Sequence, residues 1–269
     1  MCFRRKIKEI NPNLNISSKE LVVYQKFKKD KIHVGTKIKI PRNFVFVVCN
    51  GEKVLDTIYE GQTAITLSIL PNTTRIYELY AIDKKGKSPK FFVADTYFVN
   101  LNKFECYNWE PTEYAELEDK NFGAYKASCS GELNFKIFDP VRFLSYMLKE
   151  EDLKVNQFVA NKVLKNFINE RIIRILNKIN PTAKDLYTKK EDLVKQMYEK
   201  LAELLKEIGI TLDGITLTET MFPPKILQEL SLSTTSPVGI RGWGNVSFEE
   251  WQVSNPCDSA SKKPKFVTI

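Results

Sequence analysis

Residue types that do acid–base, nucleophilic or metal chemistry are thinly organised in this 269-residue chain. Its single histidine, His33, lies in Lys31-Ile32-His33-Val34-Gly35, and a Ser-His-Asp or Cys-His site would have to be built on it. That stretch reads as a turn, so a solvated histidine is the expectation, and a multi-histidine metal centre is excluded. The five cysteines, Cys2, Cys49, Cys106, Cys129 and Cys257, include no CxxC pair, so zinc-ribbon spacing is absent. Cys49 and Cys129 fall in strand patterns, where a cysteine behaves as a small core hydrophobe. No GxxxxGK[ST] phosphate loop occurs among the eleven glycines. Gly239-Ile-Arg-Gly242-Trp-Gly244 has the outline of a glycine fingerprint, and its first four residues that of a KH clamp. Neither has the flanking elements that would present it. Carboxylate chemistry stays open, because Asp and Glu are spread throughout and nothing selects a pair. Asp139 stands out, and its reading is structural.

That residue belongs to the stretch around which the chain is organised, 127–147, ASCSGELNFKIFDPVRFLSYM. Ala127, Cys129, Gly131, Leu133, Phe135 and Ile137 alternate with polar residues, as in a strand with one wet face. Asp139 can cap a first helical turn, and Pro140 suits the first helical position, where its missing donor is not needed. Phe143, Leu144, Met147 and Leu148 follow at helical spacing. Sheet precedes this corner and helices dominate after it.

Strand patterns begin near residue 20. They cover 21–27, 37–40, a continuous apolar run at 44–49 as for a strand covered on both faces, 53–58, 64–69, 75–82 paired with 90–99, and 102–109. Asn50-Gly51 is a tight-turn signal, and Glu60-Gly61-Gln62 reads as another turn. The acidic stretch 110–121 reads as a solvated loop. A broad apolar helical face runs from Leu153 to Ile179 and is ended by Pro181. A second amphipathic helix covers 189–208, and Gly209 suits the left-handed position that closes it. A strand at 210–220, interrupted at Asp213-Gly214, leads to a short helix ending at Leu230. The domain reading is a flexible basic arm at 1–19, a β-rich part at 20–138, a helical part at 139–230 and a flexible tail at 231–269. Trp243, Phe248 and Trp251 in that tail are candidates for a docking motif.

The order of these pieces resembles the SPFH (stomatin/prohibitin/flotillin/HflK-C, or band 7) domain family, and more closely its soluble, virion-core-protein-like branch. The residues that carry the likeness are Phe44-Val-Phe-Val-Val-Cys-Asn50-Gly51-Glu, Tyr59-Glu60-Gly61-Gln, the run FFVADTYFVN at 91–100, 131–143, Gly209-Ile-Thr-Leu-Asp-Gly214 and Met221-Phe-Pro-Pro224. It covers roughly residues 21–230. Relatives often have Trp-Gly-Thr where this chain has Trp109-Glu110-Pro111-Thr112. The resemblance implies an α+β fold: an antiparallel-rich twisted sheet, then packed amphipathic helices and a last short strand.

Composition is that of ordinary globular material, 43% hydrophobic and 28% charged. No apolar run approaches the ~20 residues that span a bilayer. The start, Met1-Cys-Phe-Arg-Arg-Lys6, lacks the apolar stretch of a secretory signal, so a cytoplasmic location, with peripheral attachment at the inner membrane, is expected. The net charge of +8 favours anionic partners, either acidic lipid or nucleic acid. From the resemblance, the expected function is a non-enzymatic scaffold that self-associates and is recruited to the cytoplasmic face of a membrane or to a membrane protein. Arg4, Arg5 and Lys6 are its candidate lipid contacts, Asp139 and Pro140 its structural corner, and Phe158, Phe167 and Ile172 its candidate assembly residues. No cofactor, metal or small-molecule substrate is expected. A basic nucleic-acid-binding module is the alternative, and a hydrolase with an unidentified carboxylate site the third reading.

Overall fold

The computed structural model describes residues 9–10, 20–25, 31–80, 91–150, 154–233 and 240–242. Arg4, Arg5 and Lys6, and the tail aromatics Trp243, Phe248 and Trp251, lie outside the described residues. In chain order the elements are β1 (Glu9–Ile10), β2 (Val22–Tyr24), β3 (Lys31–His33), β4 (Lys37–Ile40), β5 (Phe44–Asn50), β6 (Lys53–Ile58) and β7 (Gly61–Ala64). Helix α1 (Pro71–Tyr80) follows, then β8 (Phe91–Val93), β9 (Asp95–Asn100), β10 (Lys103–Trp109), β11 (Ala115–Asp119) and β12 (Gly123–Ile137). The second half holds α2 (Pro140–Glu150), α3 (Gln157–Ile179), α4 (Ala183–Thr188), α5 (Lys190–Glu207), β13 (Ile210–Phe222), α6 (Pro224–Ser233) and β14 (Ile240–Gly242). The fold is α+β. Described strand pairs are antiparallel except β1 with β4 and β13 with β14.

Two hydrophobic cores meet across β5 and its neighbour β9, whose Tyr97 and Val99 enter one and Phe98 the other. Phe44, Phe46 and Val48 of β5 enter a smaller core with Ile32, Ile38, Ile40, Phe92 and Phe98. Val45, Val47 and Cys49, on the opposite face, enter the larger core that α2, α3 and α5 help to build. Alternate side chains of a strand point to opposite faces, so a strand between two cores must be apolar throughout. That is the physical origin of FVFVVC.

The larger core rests on β12, which pairs with β10, β11 and β13. Along β13 the register slips at Asp213 and at Thr218, each an extra residue opposite β12. The expected interruption at Asp213-Gly214 is therefore a bulge inside one continuous strand, not a break. Helix α3 starts one residue after Asn156, whose side chain accepts from the Val159 amide at 3.0 Å. It ends at Asn180, in the left-handed conformation with φ 48°.

Several expectations are corrected. Residues 75–80 are helical, not a strand facing 90–99. Pro71 takes the first position of α1, and buried Asp56 of β6 accepts from the Asn72 amide (3.2 Å), the Thr73 amide (2.7 Å) and the Thr73 hydroxyl (2.6 Å). A carboxylate at that end satisfies amides that have no partner within the helix. Gly61 and Gln62 open β7, which stops at Ala64. The 110–121 stretch contains β11, paired with Gly123–Ala127 of β12. The outer edge of β11 is covered by α3. The Glu116 amide donates to Asn177 Oδ1 at 3.0 Å, the Glu118 amide to Asn180 Oδ1 at 2.8 Å, and Asn180 Nδ2 to the Glu118 carbonyl at 3.3 Å. Composition placed 1–19 and 231–269 outside the domain, but β1 pairs with β4, α6 continues to Ser233, and β14 pairs with β13.

Candidate functional site

At the sheet-to-helix corner the chain turns from β12 into α2. Asp139 Oδ1 accepts from the amides of Val141 (3.1 Å) and Arg142 (3.0 Å), while Oδ2 lies 3.2 Å from Arg142 Nε. Pro140 is buried at the first position of α2. The amides of Phe138 and Asp139 donate to the Gly209 carbonyl at 3.0 and 3.1 Å. Gly209 has φ +82°, and a Cβ there would stand 2.4 Å from the Asp139 carbonyl oxygen. Both oxygens of the Asp139 carboxylate are committed to this junction, so its role here is architectural.

The three assembly candidates on α3 separate. Phe167, 6% exposed, and Ile172, 0% exposed, belong to the larger core and are unavailable to a neighbouring subunit. Their place in the helical apolar stripe reflects intramolecular packing, a correction to the assembly reading. Phe158 is 76% exposed. Beside it, Gln157 Oε1 accepts from the Leu21 and Val22 amides at 2.6 and 3.2 Å, which locks this end of α3 to β2. A rigid platform thus presents one bare aromatic ring.

Several groups that could do covalent or acid–base work are held in unreactive states. Lys154 Nζ lies 2.8 Å from Asp95 Oδ1 and donates to the Tyr24 hydroxyl at 2.6 Å, and Tyr24 donates to Asp95 at 2.9 Å. The hydrogen bond with Asp95 pushes the Lys154 ammonium up, and burial pushes the Tyr24 phenol up. A lysine nucleophile or tyrosine base needs the opposite shift. The triangle ties the segment before α3 to β2 and β9. Burial pushes the Cys49 and Cys129 thiols up to about 12, so both stay protonated at neutral pH and are poor nucleophiles. Buried Asp119 accepts from the Asn121 amide at 2.7 Å and the Ala183 amide at 2.9 Å, and thus serves the start of α4. Among the described residues no three His, Cys, Asp or Glu side chains gather as metal ligands would. Two open grooves flank the β11–β12 turn. One, about 570 Å³, lies beside Phe122, Tyr125 and Ile226; the other, about 660 Å³, beside Asp119, Asn180 and Thr182.

His33 sits on a strand, not in a turn. Strands β3 and β8 pair as Lys31 with Val93, Ile32 with Phe92 and His33 with Phe91. Ile32 and Phe92 are buried in the smaller core, and the period of two turns Lys31, His33, Phe91 and Val93 outward. Val93 is 47% exposed, and Val34, at the turn after β3, is 37% exposed. Lys31 Nζ stands 4.2 Å over the Phe91 ring, and the His33 ring is tilted against that ring at 5.8 Å. The sequence reading passed over this surface. The alternation in Lys-Ile-His was its only local signal, since Phe-Phe-Val is apolar throughout, and neither triplet alone says which strand pairs with it.

The profile of the SPFH domain–Band 7 family matches residues 22–238. No curated protein matches the chain.

Proposed function

The chain belongs to the SPFH domain–Band 7 family, and on that premise we propose that it is a non-enzymatic scaffold that self-associates and works at the cytoplasmic face of a membrane. The observation that carries this reading is the family match over residues 22–238. The geometry is consistent with it: Asp56, Asp119, Asp139, the buried thiols Cys49 and Cys129 and the lysine–tyrosine cluster serve the architecture, and Phe158 projects from a fixed helix end. None of the described helices is long and apolar enough to cross a membrane, so in this reading attachment runs through a surface or a membrane-bound partner. Self-association uses the exposed start of α3, with a second copy of this chain covering Phe158. An exposed aromatic on a fixed platform brings a large apolar area to an interface at little cost in conformational entropy.

Light scattering on a size-exclusion column tests the reading. A discrete multimer is expected, and Phe158→Asp is expected to lower the solution mass without lowering the thermal midpoint. A monomer at high protein concentration would sink the self-association. The nucleic-acid alternative predicts a DNA or RNA affinity that falls steeply with salt.

A further inference from the structure

Residues 26–39 hold six lysines and one aspartate, and residues 81–93 hold four lysines and one aspartate. Together these two segments carry a net charge of +8, which is the net charge of the whole chain. The remainder of the protein is balanced. The segments lie far apart in sequence, yet each contributes one strand of the same two-stranded ribbon, β3 with β8. Beyond the ribbon's turn, β4 adds exposed Lys37 and Lys39. No carboxylate occurs in β3, β4 or β8. Among the described residues, Lys31, Lys37 and Lys39 therefore stand on or directly after the ribbon from which Val34 and Val93 project into solvent.

We infer that the outer face of the β3–β8 ribbon is a docking surface for a bilayer rich in anionic phospholipid headgroups. This rests on the membrane reading above and names the element and the lipid class. Lysines near an anionic leaflet each add about a factor of five in binding. Exposed apolar side chains beside them enter the headgroup–acyl boundary, which cations alone do not reach. Lipid is favoured over nucleic acid by the aromatic geometry. Single strands bind by stacking bases on free ring faces. The Phe91 ring has Lys31 over one face and His33 tilted against it. Val34 and Val93 offer no flat face at all.

Flotation with phosphatidylcholine vesicles, with and without a minority of phosphatidylglycerol, tests the inference. The wild-type chain is expected to float with the anionic vesicles only, and less at raised salt. The triple variant Lys31→Glu, Val34→Ser, Val93→Ser is expected to lose about tenfold or more in partitioning while keeping its thermal midpoint. Val34→Asp alone lies in the turn, disturbs no ladder hydrogen bond, and is expected to weaken flotation in the same direction. If both variants float like the wild type, the ribbon is not the docking surface, and the membrane reading stands on some other element. If the wild type floats with no vesicle, the ribbon inference and membrane docking both fail, while self-association is judged separately by solution mass. If a DNA duplex is retarded by the wild type but not by the triple variant, and no vesicle floats, the surface belongs to nucleic acid and the inference is overturned.

Discussion

Gly131 sits in the middle of β12, opposite Trp109 of β10 and Leu217 of β13. A Cβ at this position would stand 1.9 Å from the Thr216 carbonyl oxygen and 2.8 Å from Trp109 Cζ2. The absent side chain lets the indole lie across the sheet, where it is 1% exposed. Because the nearest obstacle is backbone, relaxation is costly. Gly131→Ala is expected to destabilise the fold by about 3 kcal/mol, read as a lower urea midpoint. An unchanged midpoint would mean that the β12–β13 bulge opens freely. The same kind of contact separates the α3 residues. Phe167 and Ile172 look like Phe158 in a helical stripe, but only burial distinguishes packing from availability.

At the scale of elements, β11 is an edge strand guarded by a helix. Unpaired strand edges invite pairing with other chains. Here Asn177 and Asn180 of α3 occupy the edge, and Asn180 closes the helix as well. Asn180→Ala removes hydrogen bonds to Glu118 and places a Cβ-branching-free but left-handed-averse residue at φ 48°. The expected cost is roughly 1–2 kcal/mol, with faster hydrogen exchange at the Glu118 amide. Unchanged exchange at Glu118 would show that the asparagine does not guard this edge. Helix α1 shows the converse dependence. Its start is satisfied by Asp56, a residue of another element, and without that carboxylate the 75–82 stretch has a strand's composition.

For the whole molecule, the raised ionisations set a pH dependence with a definite sign. Burial pushes the Cys49 and Cys129 thiols up to about 12, and pushes the Tyr97 and Tyr125 phenols up as well. The folded state therefore holds protons that the unfolded chain releases at lower pH. Their stabilisation is complete below the ordinary thiol range and is lost as pH rises through the folded values. Lys154, raised by its hydrogen bond with Asp95, acts in the same direction, while Lys190, lowered by burial, opposes it. The urea midpoint is expected to fall steadily above about pH 9. A flat midpoint to about pH 11 would mean that these groups are not held in dry surroundings.

The sequence by itself determined the α+β class, the junction of β12 with α2, the two long helices and the closing glycine at 209. Those features are written in periodicity and in capping or turn residues a few positions apart, where local sterics and backbone hydrogen bonding decide. Tertiary structure decided what depends on distant groups. It made 71–80 a helix, by bringing Asp56 to its first turn, and made 115–119 a strand, by lining it along β12 under the asparagines of α3. It assigned the two faces of FVFVVC to two cores, buried Phe167 and Ile172 while leaving Phe158 bare, and joined 31–33 to 91–93 in one ribbon. Lys31 and Val93 were each readable in the sequence, but only strand pairing across some sixty residues put them side by side on one surface.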